Sequence, residues 1–276
     1  MRCSGQSLTP LQIKIISDYQ ENDVVVLRGI FSDWMPALCR GADYNAAHLS
    51  SSALIHGSNG DQGRFLEDFC NWQLIPEFRD FVLNSDIGDI AARLMGSRTV
   101  QFFHDHYLQK DAGTETATPW HQDMPYYCVR GEQTVSFWIP LDPRNRNASL
   151  NCVTGSHRLP KEIRPTSWST LDSFYEDDAN FMDLPDIDNG GYDIKTWAVD
   201  PGDAIAFNFK TIHGAKANIG QAVNRTVSFR LVGDDVRYFQ RPGRTSPNFP
   251  DIKQKNGDRL REDWFPVIWP TSDEEK

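Results

Sequence analysis

Two residues of metal-binding type, His121 and Asp123, stand two positions apart in the segment TPWHQD. Residues i and i+2 of an extended strand lie on one face, so this imidazole and this carboxylate can approach a single ion. His213, in the distant segment IHG, can add a second imidazole. Two histidines and one carboxylate form the facial set that leaves open positions on ferrous iron, where a cosubstrate and dioxygen can react. The spacing therefore predicts an iron-dependent oxygenase centre.

The residues around this set predict strands that would hold it in place. The run SFWIPLD follows the first two ligands, and the run DAIAFNF precedes His213. A turn at Pro201 and Gly202 would open the second run. Gly214, which has no Cβ, would allow the backbone to pass close to a bound ligand.

A second pair of histidines, His104 and His106, also has strand spacing. A cupin-type metal site would need such a pair followed within a few residues by a carboxylate, and then by another histidine. Glu115 lies further along than that pattern requires. We therefore expect the pair to line a pocket, and a cupin-type metalloenzyme remains an alternative. A jelly-roll protein that binds a small molecule without catalysis is the other alternative.

The composition is that of an ordinary globular protein, and 276 residues suit one extended domain. A net charge of −10 argues against nucleic acid or an anionic membrane as the main partner. We expect a small-molecule substrate, and either a monomer or a homodimer.

Five scattered cysteines without CxxC spacing indicate free thiols in a reducing compartment. The sequence has neither an apolar signal core nor a membrane-length apolar run, so the cytoplasm is the expected location.

The order of the local sequence patterns along the chain predicts helices first and many short strands afterwards. Such an order is typical of an antiparallel β-sandwich or barrel supported by helices, and we predict a mainly β fold, a double-stranded β-helix or jelly roll. The expected organisation is a single domain. Residues 1–97 should form a mostly helical buttress, residues 98–240 the jelly-roll core, and residues 241–276 a C-terminal extension. Within the core, residues 160–192 are an acidic and aromatic insertion that could act as a lid.

The local patterns predict individual elements. A helix should begin near Pro10, after Thr9, and a short buried strand should cover 23–27. Further helices are expected at 31–39 and, three in succession, between 63 and 95, with a loop at 42–62. The expected strands of the core are 99–109, 134–141, 149–153, 194–199, 203–208 and 225–232.

Several segments together resemble the phytanoyl-CoA dioxygenase family of non-haem iron, 2-oxoglutarate-dependent oxygenases. They are PWHQD at 119–123, FWIPLD at 137–142, TGSH at 154–157, and GDAIAF with IHGAKAN between 202 and 218. The resemblance runs from about residue 10 to 240. It implies a double-stranded β-helix, and it implies that His121, Asp123 and His213 are the ligands of Fe(II).

The same resemblance implies a site for 2-oxoglutarate. The family binds the distal carboxylate with an arginine on the strand after the second histidine, and Arg225 falls there, one residue later than usual. Arg230 is the fallback, and the two should face opposite sides of the strand. A guanidinium suits this task because it can grip a carboxylate through two parallel hydrogen bonds. Lys110 and Trp138 match further positions near the cosubstrate.

The resemblance also implies the reaction. Related halogenases have a small apolar residue at the aspartate position, so Asp123 favours hydroxylation or another oxidation. Fe(II), 2-oxoglutarate and O2 would be required, with release of succinate and CO2. The substrate would be a small metabolite, of the kind found in secondary metabolism, bound in an apolar pocket with a few polar groups. The expected substrate-binding residues are His104, His106, Tyr126, Tyr127 and Trp168.

Overall fold

A computed structural model describes residues 9–57, 63–168, 170, 172–175 and 179–270 of the protein. Within these residues, no helix is both long and apolar enough to cross a membrane. The helices are α1 Pro10–Asn22, α2 Met35–Ala47, α3 Pro76–Asn84 and α4 Ile87–Met95, and short 3-10 turns cover Ser32–Trp34, Met124–Tyr126, Arg146–Ala148 and Ser156–Arg158.

The strands of the described chain are numbered in chain order. They are β1 Val24–Leu27, β2 Leu54–His56, β3 Phe65–Phe69, β4 Val100–Lys110, β5 Thr118–His121, β6 Val129–Arg130, β7 Thr134–Pro140, β8 Leu150–Val153, β9 Glu162–Ile163, β10 Phe181–Met182, β11 Ile194–Lys195, β12 Ala204–Phe207, β13 His213–Ala215, β14 Asn224–Val232, β15 Arg237–Tyr238 and β16 Val267–Trp269.

Two antiparallel sheets form the body of the molecule. The major sheet has the order β1-β12-β7-β14-β4-β3-β2, and β16 joins it beside β4. The minor sheet has the order β11-β8-β13-β5. Most neighbours in each sheet come from distant parts of the chain, as in a jelly roll, so the predicted mainly β fold with flanking helices is confirmed.

The helices cover the outer face of the major sheet. On β14, Val227, Phe229 and Leu231 point into this helix-covered core, where Phe229 contacts the rings of Phe78 and Phe81. Side chains of a strand alternate between its two faces, so the residues between them, Thr226, Ser228 and Arg230, point to the inside, towards the minor sheet. The alternation of this one strand therefore separates a hydrophobic outer face from a polar inner face.

The start of α1 follows the sequence prediction. The Thr9 side chain accepts a hydrogen bond from the backbone of Gln12, and the Gln12 side chain accepts one from the backbone of Thr9. Pro10 takes the first helical turn, where its missing N–H costs nothing. This capping box fixes the boundary that the sequence predicted.

Two local predictions were wrong. Residues 63–72 were expected to be helical, but they contain β3, which pairs with β4 and is buried along its whole length. The expected loop at 42–62 contains the end of α2 and the edge strand β2. Pairing with a long strand far along the chain outweighs the weak helical spacing of FLEDF, a tertiary effect that local patterns do not contain.

Three parts of the chain differ in detail from the predicted organisation. The first 97 residues supply β1, β2 and β3 to the major sheet as well as helices. The C-terminal extension adds β16 beside β4, and the strand expected at 194–199 is only Ile194–Lys195. In the predicted insertion, β9 and β10 form a small parallel pair.

Phe229→Ala should test the helix-to-sheet core. Phe229 is fully buried, and removing its ring should lower the free energy of unfolding by about 3–5 kcal/mol through lost burial and a cavity. Chemical denaturation monitored by circular dichroism measures this change. Leu74→Ala, at a site 74% exposed, is the control and should change stability by less than about 0.5 kcal/mol. Equal effects of both substitutions would contradict this account of the core.

Candidate metal centre

Strand pairing brings the three predicted metal ligands together. β13 runs antiparallel to β5, and His213 lies directly opposite His121. Asp123 follows β5 by two residues, and its Oδ1 lies 3.7 Å from Nε2 of His121 and 3.9 Å from Nε2 of His213. The three ligand atoms lie within 4.8 Å of one another, and all three residues are buried. This is the separation that one shared ion requires.

Backbone carbonyl groups orient both imidazoles. Nδ1 of His121 lies 2.8 Å from the carbonyl oxygen of Pro119, and Nδ1 of His213 lies 2.9 Å from that of Thr211. A carbonyl oxygen only accepts, so each Nδ1 carries the hydrogen and donates it. Each Nε2 then presents a lone pair towards Asp123, which is the tautomer that a metal ligand needs.

The charges of the centre also favour the binding of a cation. Burial raises the pKa of Asp123, but Arg230 and the two imidazoles outweigh this effect, and the pKa lies well below its usual range. Burial, together with the neighbouring His121, lowers the pKa of His213 to about 3. Near neutral pH the site therefore presents one carboxylate and a neutral His213 imidazole. Ser136 Oγ donates a hydrogen bond to Oδ2 of Asp123, which leaves Oδ1 for a metal ion.

Gly214 has a different role from the one expected. A Cβ at this position would lie 3.1 Å from the carbonyl oxygen of Thr118 and 3.3 Å from the Trp120 ring. The close neighbour is thus the adjacent strand β5, and the missing side chain allows β13 to pair tightly with it.

The rival histidine pair does not form a metal group. His104 Nδ1 contacts the carbonyl oxygen of Asp105, and His106 Nε2 contacts Glu67. Glu115 is exposed. Among the residues that the structure describes, only His121, Asp123 and His213 form a cluster with metal-ligand geometry. The cupin-type alternative therefore has no support from the geometry.

A cavity of about 240 Å³ opens beside the metal centre. Four of the five residues expected to bind substrate line it: His106, Tyr126, Tyr127 and Trp168. The fifth, His104, lies behind the wall, with its ring centre 5.0 Å from that of Tyr127. Further wall residues are Leu54, His56, Glu67, Phe69, Thr166, Ser167, Phe174, Arg230 and Ser246.

The insertion reaches the metal centre through Trp168. The indole lies edge-on to the His121 ring, with 4.7 Å between ring centres, and stacks on Phe65 at 6.3 Å. The segment before it is anchored, because Tyr126 Oη donates to the Thr166 carbonyl oxygen and accepts from the Thr166 N–H. Trp168 therefore covers one side of the predicted ligand His121.

Arg225 does not lie where the sequence analysis placed it. Its guanidinium forms a two-point contact with Asp142, at 2.8 and 3.2 Å, and reaches Asp43 of α2 at 2.7 Å. These contacts are on the outer, helix-covered side of β14. Arg225 and Arg230 lie on opposite faces of β14, as predicted, but the arginine on the inner face is Arg230.

Arg230 is buried beside the metal centre. Its Nε lies 3.4 Å from Oδ2 of Asp123, and its Nη1 has no hydrogen-bond partner among the described residues. A buried N–H of a charged group without an acceptor is costly. The guanidinium therefore has hydrogen-bonding capacity left beside the predicted metal ligand Asp123.

The other two residues predicted to bind the cosubstrate, Lys110 and Trp138, are both buried but have different neighbours. Lys110 is buried, and its Nζ donates to the carbonyl oxygens of Ala215 and Lys216 at 3.3 and 3.0 Å. Burial lowers its pKa to about 7. Trp138 packs with Leu150, Cys152 and other apolar side chains on the inner side of the major sheet and does not line the cavity.

Sequence reasoning missed Glu67, His56 and Ser136. Ser136 sits in a predicted strand, and the i, i+2 spacing with Trp138 could have suggested an inward position. Glu67 was hidden by the wrong helix assignment of its segment. His56 fell in a segment expected to be loop, and no local signal places it near the metal.

Comparison with known proteins identifies the family to which the chain belongs. The sequence profile described as "Phytanoyl-CoA dioxygenase (PhyH)" matches residues 34–227, which is well over half of the chain. The protein therefore belongs to the phytanoyl-CoA dioxygenase family. It is an iron(II)- and 2-oxoglutarate-dependent enzyme, and dioxygen is its second cosubstrate. A search of curated proteins found no match.

Solved structures share the fold at low sequence identity. The α-ketoglutarate-dependent epimerase SnoN from nogalamycin biosynthesis is 17% identical, with a TM-score of 0.73 over 94% of this chain and 98% of SnoN. The carbocyclase SnoK from the same biosynthesis is 20% identical, with a TM-score of 0.67 over 95% and 97%. EctD from S. alaskensis, solved with 2-oxoglutarate and 5-hydroxyectoine, is 17% identical, with a TM-score of 0.67 over 94% and 88%.

Metal titration of variants should separate the two histidine pairs. Asp123→Ala and His213→Ala each remove one of three ligands, so we expect stoichiometric binding of Fe(II) under anaerobic conditions to be lost or weakened at least about 100-fold. His104→Ala should keep the wild-type stoichiometry. Calorimetric titration with Fe(II), or with Co(II) as an air-stable probe, measures both. Loss of binding in His104→Ala but not in His213→Ala would favour the cupin-type arrangement instead.

Proposed function

We propose that this protein oxidises a small-molecule metabolite, most simply by hydroxylation, with conversion of 2-oxoglutarate to succinate and CO2. The observation that carries the proposal is the buried His121–Asp123–His213 group at the wall of a cavity. A complete set of three ligands favours oxygen transfer over halogenation, since Asp123 occupies the position that a halide would need.

The inner face of the jelly roll offers two cationic groups for the two carboxylates of 2-oxoglutarate. Arg230 lies next to Asp123, so its Nη1 can bind the carboxylate nearer the metal. As an ammonium group, Lys110 has three N–H groups and gives two of them to backbone carbonyl groups. Its Nζ also lies 4.7 Å from the centre of the Phe65 ring, so a ligand carboxylate would be its first partner of opposite charge. Within the described chain, no carboxylate lies at ion-pair distance from Lys110. We therefore assign the distal carboxylate to Lys110, in place of Arg225.

Iron with 2-oxoglutarate supplies the oxidising power, and the protein supplies position and shielding. The carbonyl groups of Pro119 and Thr211 hold the imidazole tautomers. Trp168 limits the access of water to the His121 side of the centre. Tyr126 anchors the segment that leads to Trp168, and Tyr127 forms another part of the wall. Together these residues leave the cavity as the path by which a substrate approaches.

The reaction outcome depends on which substrate atom is held nearest the metal. Proteins of the same fold are described as an epimerase, a carbocyclase and a protein solved with a hydroxylated product. Hydroxylation is the simplest outcome, because it needs no second constraint on the substrate. Desaturation, epimerisation or ring closure would use the same three ligands.

A non-catalytic binding protein is the remaining alternative, and anaerobic spectroscopy separates it from an enzyme. Addition of 2-oxoglutarate to the Fe(II)-loaded protein should produce a weak visible charge-transfer band, because the keto acid chelates the metal. The Asp123→Ala protein should not produce it. A wild-type protein that takes up Fe(II) but shows no band with 2-oxoglutarate would be a binder and not an oxygenase.

Turnover should depend on the same residues. In the presence of Fe(II), ascorbate and air, we expect slow release of succinate from 2-oxoglutarate, accelerated by a cognate substrate. His121→Ala should reduce the rate to the background of free Fe(II), since the facial set is broken. Succinate is measured by chromatography. Equal rates in His121→Ala and in the wild type would reject the assignment.

Lys110→Met should weaken binding of 2-oxoglutarate without loss of metal. Because the Lys110 pKa is about 7 in the free protein, the amine must take up a proton to bind a carboxylate above pH 7. The wild-type affinity should therefore fall, by up to about tenfold per pH unit above 7, and this slope should vanish in the variant. Calorimetry in buffers of different ionisation enthalpy measures both affinity and proton uptake.

Arg225→Met is the matched control, because it removes a cation from the opposite face of β14. It should leave the affinity for 2-oxoglutarate and its pH slope unchanged. A large loss of affinity in Arg225→Met, together with wild-type behaviour of Lys110→Met, would restore the original sequence prediction.

A further inference from the structure

A carboxylate held between two imidazoles forms part of the cavity wall. Oε1 of Glu67 lies 2.5 Å from Nε2 of His56, and Oε2 lies 2.9 Å from Nε2 of His106. Glu67 and His106 are almost fully buried, and all three residues line the cavity that also contains His121 and Asp123. We call these three residues the Glu67 cluster. None of them is needed to complete the metal site.

The Glu67 cluster has a defined protonation pattern. Burial raises the pKa of Glu67, but the two imidazoles outweigh this effect and the pKa is lowered to about 2. A carboxylate has lone pairs only, so the imidazole nitrogen that faces it at 2.9 Å carries the hydrogen, although this contact lies outside hydrogen-bond geometry. Burial also lowers the pKa of His106. A neutral His106 with hydrogen on Nε2 therefore has a lone pair on Nδ1.

The ring of His106 is also fixed in orientation. Phe69 stacks on it, with 4.1 Å between ring centres and 25° between planes. Within the described part of the chain, Nδ1 of His106 has no hydrogen-bond partner. His106 lines the cavity, so a substrate donor can reach this lone pair. The cluster is therefore a preset hydrogen-bond acceptor close to the metal.

We propose that His106, locked by Glu67, is a specificity-determining residue that accepts a hydrogen bond from a hydroxyl group of the substrate, and that the substrate is an uncharged, hydroxylated ring compound. The inference rests on the function proposed above, and it narrows the substrate class of the same cavity. His106 selects and orients the substrate, and it is not a metal ligand.

The surroundings of the cluster favour an uncharged ring. Glu67 is already hydrogen-bonded to His56 and lies 2.9 Å from Nε2 of His106, so it offers little to a cationic substrate. The cationic groups Arg230 and Lys110 are engaged by the keto acid in the proposed function, so an anionic substrate lacks a partner. Five aromatic side chains of the remaining wall suit the flat face of a ring: Phe69, Tyr126, Tyr127, Trp168 and Phe174.

The tautomer can be tested directly on the metal-free protein. Nitrogen-15 and carbon-13 NMR of labelled histidine distinguishes hydrogen on Nε2 from hydrogen on Nδ1, with His106→Phe used to assign the signal. We expect the Nε2–H form in the wild type and a mixture of tautomers in Glu67→Leu. An Nδ1–H form in the wild type, or no change in Glu67→Leu, would overturn the proposal.

A matched pair of probes tests the hydrogen bond. Trans-cyclohexane-1,2-diol and its dimethyl ether have the same ring, but only the diol donates. In the wild type, we expect the diol to bind about tenfold more tightly, which is about the value of one hydrogen bond to an acceptor in the cavity wall. The ratio should fall to about one in His106→Phe and recover in part in His106→Gln, whose amide oxygen can accept. NMR titration measures both affinities.

Three results would count against the proposal in this assay: equal affinity of the two probes in the wild type, an unchanged ratio in His106→Phe, or binding of neither probe. A purely structural role of the cluster would lower stability and leave the ratio unchanged. His157→Phe is the control, because His157 lies 2.9 Å from Asp23 in another, partly buried imidazole–carboxylate pair outside the cavity. It should keep the wild-type ratio.

The visible band of Fe(II) with 2-oxoglutarate, measured on the same proteins, separates this inference from the proposed function. A normal band in His106→Phe with a lost diol preference supports both. A wild-type protein without the band but with the diol preference would reject the oxygenase and leave the hydroxyl acceptor standing.

Discussion

The antiparallel pairing of β13 with β5 places His213 opposite His121, and the chemistry of the protein depends on this register. A shift by one residue would turn one imidazole to the other face of the minor sheet and remove it from the metal. The register is held from both sides, because β13 also pairs with β8 and because Gly214 allows a close approach to Thr118. The pairing of these strands thus sets the positions of the two imidazoles of the metal centre, and the turn after β5 supplies Asp123.

The inner face of the jelly roll carries a concentration of charge that a plain core would avoid. Asp123, Glu67, Arg230 and Lys110 are all buried there. Buried charges cost several kcal/mol each unless they are paired. Here Nη1 of Arg230 lacks a hydrogen-bond partner among the described residues, and Lys110 is hydrogen-bonded to backbone carbonyl groups and not to a carboxylate. The outer face of the same sheet is packed with aromatic rings such as Phe229 and Phe81. Stability therefore comes mainly from the helix-covered side, and the inner side is organised for ligands.

Much of the fold and of the metal centre could be predicted from local patterns. The i, i+2 spacing of His121 and Asp123 survives in the structure because a strand has a fixed period. The capping box at Thr9 is likewise local. The side of β14 on which Arg225 lies was misjudged. Arg225 falls one residue later than in the family, and an offset of one residue turns a side chain to the other face of a strand. Glu67 was missed because its strand is defined by pairing with β4, which FLEDF alone does not reveal.

The contact between Trp168 and His121 links two parts of the chain with different tasks. The segment that carries the indole is an insertion between β8 and β11, outside the ladder that holds the ligands. Changes in its length or composition can reshape the roof of the cavity while the iron ligands and their strands stay as they are. A lineage that keeps this scaffold can therefore acquire a new substrate by altering one surface segment, without rebuilding the oxidising centre beneath it.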